Sequence, residues 1–177
     1  MKRWILPAII AVGLVASVNA KDANATQSAT QSSTTHTFSG DRVKHASNIP
    51  YTGKPIFIMF DTATCPYCKK TRHDLVEDPY LSKVADGFDL YNIPRDQPQA
   101  YTILGNDTTL QSLVMLYKVK VTPNIILLDS HGHKIWQLPG YAKPEVLGKI
   151  MEFVQGVDSG KYKKAEWKEY LRKNGLI

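Results

Sequence analysis

The sequence predicts an α/β fold in which helices flank a mixed central sheet and an extra helix follows at the C-terminus. The apolar pattern alternates between strand-like and helix-like segments in the order β-α-β-α-β-β-α. The first two strands are joined by a helical crossover, which predicts parallel pairing. The last two strands are joined by a tight turn, which predicts an antiparallel hairpin.

The first strand and the first helix follow each other closely. Residues 54–60, KPIFIMF, are mostly apolar and rich in β-forming types, which is typical of a buried strand. Pro66 then lies where a helix tolerates proline, at its first position, and the helical pattern continues until Asp78-Pro79 interrupts it. A short helix over residues 80–85 leads to the alternating residues 88–93, which predict the second strand.

The second half of the domain begins with a polar connection over residues 95–105. The side chains of residues 106–108, Asn-Asp-Thr, favour the start of a helix that continues over residues 110–117. Since proline is tolerated at the first residue of a strand but not inside one, we expect the next strand to begin at Asn124, directly after Pro123. A turn at residues 129–133 leads to the last strand.

The two ends of the chain carry further predicted segments. The helical pattern of residues 144–154 predicts the last helix of the fold, and residues 161–173 predict the extra C-terminal helix, amphipathic with a basic outer face. Residues 1–20 have a basic start, an apolar centre and small residues before a cleavage site, which is typical of a secretory signal peptide. An uncleaved short membrane anchor is the alternative.

Residues 21–40 are rich in Ser, Thr, Gln, Ala and Asn and have no apolar period, which predicts a flexible linker. Residues 41–177 are then expected to form one domain, which is long enough for a substantial core. The formal net charge is +6, but much of it falls in the signal segment and the C-terminal helix. An exported chain without a recognition motif does not predict nucleic-acid binding.

The two cysteines of the chain, Cys65 and Cys68, are separated by two residues. A closed zinc site needs four ligands, so a metal would require histidines to fold back over the cysteines, and their spacing shows no second half-site: His36, His45, His73, His131 and His133. A structural disulfide across so short a loop would restrict the unfolded chain little. Both alternatives stay open, and redox exchange is the preferred interpretation.

Redox exchange is favoured by the position of Cys65 between a buried strand and the start of a helix. A sulfur there lies near unpaired backbone N–H groups and the positive end of the helix dipole, which stabilise a thiolate. Lys69 and Lys70 add positive charge within about one helical turn. Because the thiolate is the attacking species, Cys65 is the predicted nucleophile, and Cys68, further into the helix, is predicted to resolve the mixed disulfide.

The motif FDTATCPYCK at residues 60–69, the Val121-Thr122-Pro123 segment before a later strand and the order of elements together resemble the thioredoxin superfamily, over residues 54–155. The resemblance implies that Pro123 is a cis-proline facing Cys65 and that the backbone before it pairs with a substrate strand. It also implies that Pro66, Tyr67 and Thr122 contact the substrate, with the Cys65–Cys68 disulfide as the redox group and no further cofactor.

Several residues depart from cytosolic thioredoxins. Pro66 and Tyr67 between the cysteines are similar to glutaredoxins and some Dsb proteins, and Thr122 is similar to Dsb isomerases. The buried acid of thioredoxins would fall on Met59, and Asp61 either substitutes for it or caps the end of the strand as an exposed residue. The C-terminal segment and the insertion at residues 95–105 are most similar to SoxW-type periplasmic thioredoxin-related proteins.

We therefore expect a periplasmic thiol–disulfide oxidoreductase that reduces disulfides of exported proteins. Reduction is preferred because the sequence shows neither the dimerising domain of Dsb isomerases nor the helical insertion of Dsb oxidases. The expected partners are exported proteins with disulfides and a membrane thiol–disulfide electron donor, and the protein is expected to be a monomer. The alternatives are an oxidase or isomerase, and a binding module that carries copper on Cys65 and Cys68 or holds a partner without turnover.

Four side chains outside the cysteine pair carry further expectations. Tyr67 is expected to be exposed, where it would contact partners. Trp136 and Tyr141 are expected to pack the hairpin and helix, and the alternative is that either of them lines the substrate groove. His73, on the helix that follows the cysteines, is expected to be solvated rather than to relay protons.

Overall fold

The computed structural model describes residues 41–177. The predicted signal peptide and linker, residues 1–40, lie outside these described residues. The elements in chain order are β1 (Lys44–His45), β2 (Asn48–Ile49), β3 (Ile56–Asp61), α1 (Pro66–Glu77), α2 (Pro79–Ala85), β4 (Asp89–Pro94), β5 (Ala100–Ile103), β6 (Asn106–Thr109), α3 (Leu110–Leu116), β7 (Asn124–Leu128), β8 (Lys134–Pro139), α4 (Pro144–Asp158) and α5 (Trp167–Lys173).

The central sheet has five strands in the order β1-β4-β3-β7-β8. Strand β4 pairs in parallel with β1 and β3, whereas β7 pairs antiparallel with both β3 and β8. The predicted crossover and terminal hairpin are therefore confirmed, and the sheet is mixed. Strand β3 is buried along its whole length because it lies at the centre of this sheet.

Two apolar cores lie on the two faces of the sheet, and successive residues of β3 alternate between them. Phe57 and Met59 belong to the core that includes the buried faces of α1, α2 and α4. Ile56, Ile58 and Phe60 belong to the core that includes the buried residues of α3. This alternation follows from the two-residue period of a strand, and it explains why the run is apolar at every position.

A second, three-stranded sheet in the order β2-β5-β6 was not predicted. The polar connection expected over residues 95–105 contains β5, and the residues expected to start a helix form β6. Strands β5 and β6 make an antiparallel hairpin, and the two residues of its turn have positive φ angles, 53° at Leu104 and 78° at Gly105. Helix α3 is instead capped by Thr109, whose side chain accepts from the N–H of Ser112.

The extra C-terminal helix is confirmed, although it is shorter than expected. A 3₁₀ turn at Lys164–Glu166 precedes α5, and Leu171 is its one buried residue. Trp136 lies edge-on to both Phe153 and Trp167, with centroid distances of 6.1 and 5.5 Å. Trp136 therefore packs the hairpin against α4 and α5, as predicted.

Among the helices of residues 41–177, none has both the length and the apolar character needed to cross a bilayer.

Candidate active site

The two cysteines lie at the junction between β3 and α1. Cys65 is the N-cap residue of α1, and its backbone N–H donates to the carbonyl of Thr62 at 3.1 Å. A disulfide bond joins Cys65 to Cys68, whose Cα atoms are 5.3 Å apart. Cys65 is 7% exposed and Cys68 is 1% exposed. The residue predicted as the nucleophile is thus the more accessible of the two.

The start of α1 directs a hydrogen-bond donor at the Cys65 sulfur. The backbone N–H of Cys68 lies 3.1 Å from this Sγ atom. Pro66 occupies the start of the helix, where a missing N–H removes no intrahelical bond, and the first turn contains no acidic residue. Because the positive end of the helix dipole also favours negative charge, this arrangement stabilises a thiolate on Cys65 once the disulfide is reduced.

The charge of Lys70 is paired with Asp74 and is not left free for the Cys65 sulfur, which corrects the expectation from the sequence. Its Nζ atom donates to both carboxylate oxygens of Asp74, at 3.0 and 3.2 Å. This hydrogen bond, with a smaller contribution from Tyr141, raises the pKa of Lys70 above its usual value. Lys69 is exposed and takes part in no ion pair within residues 41–177, so it is the lysine whose charge is available near the site.

The Thr122–Pro123 peptide bond is cis, and β7 begins at Asn124 as predicted. Asn124 pairs with Phe60, the residue before the end of β3. Pro123 therefore lies at the same edge of the sheet as the segment that leads to Cys65. Thr122 makes no hydrogen bond to another residue in the described part of the chain, so its N–H and C=O are available for backbone pairing with a partner.

Tyr67 and Tyr141 stack on each other beside the disulfide. Their ring centroids are 5.7 Å apart and their planes differ by 27°. Pro66 and Tyr67 are both exposed, as expected for Tyr67. The N–H of Gly140 donates to the carbonyl of Pro123 at 2.8 Å, which joins the loop of Tyr141 to the cis-proline. The ring of Tyr141 thus contacts the cysteine motif, which agrees with the alternative that it lines the groove beside the disulfide.

Asp74 connects α1 to this loop. The hydroxyl of Tyr141 donates to its Oδ2 atom at 2.8 Å. Burial, together with this hydrogen bond, raises the pKa of Tyr141 above its usual value. The neighbouring His73 is exposed, as predicted. Lys70, Asp74 and Tyr141 thus form one hydrogen-bonded group on the surface of α1.

Asp61 is buried, which excludes one of the two alternatives for this residue, an exposed cap at the end of the strand, and leaves the other, a substitute for the buried acid. Its side chain is 5% exposed and pairs with the guanidinium of Arg72. The amide of Asn92 donates to both carboxylate oxygens at 3.4 Å. Asp41 lies on the other side of Arg72, 3.6 Å from its Nε atom. Met59, which occupies the position of the acid in thioredoxins, is part of the apolar core.

Known proteins share this fold. A family model for a thioredoxin-like domain matches residues 44–155. The chain belongs to the thioredoxin superfamily. A thioredoxin-fold protein from Helicobacter pylori is 21% identical and superposes with a TM-score of 0.63, covering 77% of this chain and 94% of that chain. A thioredoxin from Thermus thermophilus is 20% identical and superposes with a TM-score of 0.47, covering 64% of this chain and 91% of that chain.

No protein with a curated description matches the chain. Membership of the thioredoxin superfamily and the Cys65–Cys68 pair together support thiol–disulfide oxidoreductase chemistry. The narrower SoxW-type resemblance stays a prediction.

His131 and His133, in the turn of the terminal hairpin, lie at the opposite end of β7 from the cis-proline Pro123. Among residues 41–177, one group, formed by Asp129, His131 and Asp158, brings potential metal-ligand atoms within 4.8 Å of one another. The Oδ1 atom of Asp129 already accepts the N–H groups of His131 and His133, at 3.0 and 2.8 Å. The Asp129 carboxylate therefore has a structural role in this turn. The two histidines lie far from the cysteines, at the other end of the strand.

The sequence did not predict the roles of Arg72 and Asp74 or the stacking of Tyr141 on Tyr67. One signal was available, because Cys68, Thr71, Arg72 and Leu75 share one face of α1. An arginine on the buried face of a helix requires a carboxylate partner, and Asp61 was a candidate. The contact between Tyr67 and Tyr141 has no comparable local signal.

Proposed function

We propose that this protein is a periplasmic thiol–disulfide oxidoreductase that reduces disulfides of exported proteins. The observation that carries the proposal is the Cys65–Cys68 pair at the start of α1, at the same sheet edge as the Thr122–Pro123 bond. The predicted export signal supports the location, although it lies outside the described residues. A membrane thiol–disulfide electron donor would return the protein to its reduced form.

The reaction proceeds in two exchange steps. The Cys65 thiolate attacks one sulfur of the substrate disulfide, forming a mixed disulfide, and the other substrate sulfur leaves as a thiolate that takes up a proton. Cys68 then loses its proton and attacks the Cys65 sulfur. This step closes the Cys65–Cys68 disulfide and releases the second substrate thiolate, which is protonated in turn. Two electrons pass to the substrate.

The surroundings of the cysteines support this division of roles. Cys65 is the more exposed residue and its sulfur accepts a backbone hydrogen bond, so it is stabilised as the thiolate that attacks. Cys68 is almost fully buried one turn into the helix, so a partner reaches it only through Cys65. The available backbone groups of Thr122 would hold the substrate strand alongside the disulfide while the sulfurs exchange.

Trapping is the direct test. We expect Cys68→Ala to accumulate a mixed disulfide with exported proteins, because the resolving thiol is gone. The double variant Cys65→Ser with Cys68→Ala is the matched control and should trap nothing. Insulin reduction with dithiothreitol should disappear in Cys65→Ser. Unchanged activity in that variant would contradict the mechanism.

The direction of electron flow is tested by equilibrating the protein with glutathione. A reduction potential near the thioredoxin value of about −270 mV supports reduction of substrates, and one near about −120 mV, typical of a strong Dsb oxidant, supports oxidation. The hairpin of β5 and β6 occupies the insertion after β4. Dsb oxidases have a helical insertion instead. Because the insertion here is a β-hairpin, reduction is the preferred direction.

A further inference from the structure

Tyr67 and Tyr141, named here the tyrosine pair, form an aromatic surface next to the disulfide. Tyr67 lies between the two cysteines and is 58% exposed. Its ring stacks on that of Tyr141 at a centroid distance of 5.7 Å, which is within the range of favourable aromatic pairs. Part of the Tyr67 ring is thus supported by Tyr141, while most of its surface faces solvent.

Tyr141 is held in position by groups on α1. Its hydroxyl donates to Asp74, which is 7% exposed, and the Nζ atom of Lys70 lies 5.2 Å from the centre of its ring. Lys70 also donates to Asp74. Because Tyr141 is held at its hydroxyl and over its ring, it gives Tyr67 a fixed stacking partner before a substrate arrives, which reduces the side-chain entropy lost on binding.

The surroundings of the tyrosine pair indicate which side chain it accepts. The loop of Tyr141 is hydrogen-bonded to the cis-proline segment, where Val121 is an exposed apolar residue at 48% exposure. Lys69 is exposed on the first turns of α1, and its charge disfavours a cationic side chain. An aromatic side chain is uncharged, stacks on an exposed ring and buries apolar area, so it fits this surface best.

We propose that the tyrosine pair selects disulfide partners that carry an aromatic side chain next to the cysteine attacked by Cys65, and that Tyr141 is a specificity-determining residue of this reaction. The inference rests on the proposed function and adds a preference among substrates. The preference is measured as the ratio of the rates with two peptides, so it is tested separately from whether exchange occurs at all.

The test compares two disulfide-bonded peptides that differ only in the residue next to the cysteine, tyrosine or serine. With the reduced wild-type protein, we expect kcat/KM to be roughly 3- to 10-fold higher for the tyrosine peptide, the size of one aromatic contact. Tyr141→Leu should bring this ratio towards one, mainly by raising KM for the tyrosine peptide. Tyr141→Phe keeps the ring and should keep most of the preference.

Tyr51 provides a matched control because it is 56% exposed, close to the value for Tyr67, and lies outside the site. Tyr51→Leu should retain the wild-type ratio. Equal rates for the two peptides with the wild-type protein would overturn the inference, as would an undiminished ratio in Tyr141→Leu. Absence of exchange with either peptide would instead contradict the proposed function itself.

Discussion

The guanidinium of Arg72 pairs with the carboxylate of Asp61, which joins α1 to the last residue of β3. Asn92 on β4 donates to the same carboxylate, and Asp41 approaches Arg72 from the N-terminal segment. The buried Asp61 carboxylate therefore connects β3, α1 and β4 directly before the cysteine motif, and Arg72 adds the N-terminal segment through Asp41. Its negative charge is balanced by Arg72, so the pair holds the start of the active-site segment in place.

Replacing Arg72 by methionine should destabilise the protein by about 3 kcal/mol, because the change leaves a buried carboxylate without its cation. The expected value is at the low end for a buried pair since Arg72 keeps some solvent exposure. The free energy of unfolding in urea measures the effect. Arg172→Met, at an exposed position on α5, is the control and should change stability by less than about 0.5 kcal/mol.

The double variant Asp61→Asn with Arg72→Met should recover part of the lost stability, since the unpaired charge is removed along with its partner. A loss below about 1 kcal/mol in Arg72→Met would show that the ion pair is solvated rather than buried.

Replacing Lys118 by glycine should stabilise the protein by about 0.5–1 kcal/mol. Lys118 follows the end of α3 with a φ angle of +50°, a left-handed conformation that disfavours a residue with a Cβ atom. The gain from relieving this strain exceeds the added freedom of glycine in the unfolded chain. The urea midpoint at constant slope measures the change.

Lys120→Gly is the matched control for this prediction, because Lys120 is also exposed but does not have a positive φ angle. It should lose about 0.5–1 kcal/mol through the unfolded state alone. A loss of the same size in Lys118→Gly would contradict the explanation by strain.

The stability should fall as the pH rises above about 10. Burial and the nearby charge of Glu152 raise the pKa of Tyr170 from 10.0 to about 12. The unfolded chain releases the Tyr170 proton first, so the contribution of Tyr170 to stability is fully present below about pH 10 and is lost between about pH 10 and 12. Burial also raises the pKa values of further tyrosines: Tyr80, Tyr91, Tyr101 and Tyr117.

Urea unfolding at neutral pH and at about pH 11 measures this decrease. Tyr170→Phe cannot ionise at this position, so it should lose less stability than the wild-type protein over the same interval. Equal losses would mean that Tyr170 is solvated in the folded protein and that its proton is released as easily there as in the unfolded chain.

Local patterns predicted the strands and helices that carry the cysteines. The apolar run of β3, the proline at the start of α1 and the first residue of β7 were each legible within a few residues. The hairpin of β5 and β6 was missed because it is largely polar and follows Pro98. Its strands are defined by pairing with each other and with β2, which a local pattern does not encode.

The sequence by itself determined the redox pair, because two cysteines on one helical turn after a buried strand are specified by residues next to each other in the chain. Only the tertiary structure decided that Asp61 is buried against Arg72 and that Tyr141 supports Tyr67. These contacts arise when separate elements pack together. Each side chain then acquires partners, burial and charge balance that depend on the whole fold and not on its sequence neighbours.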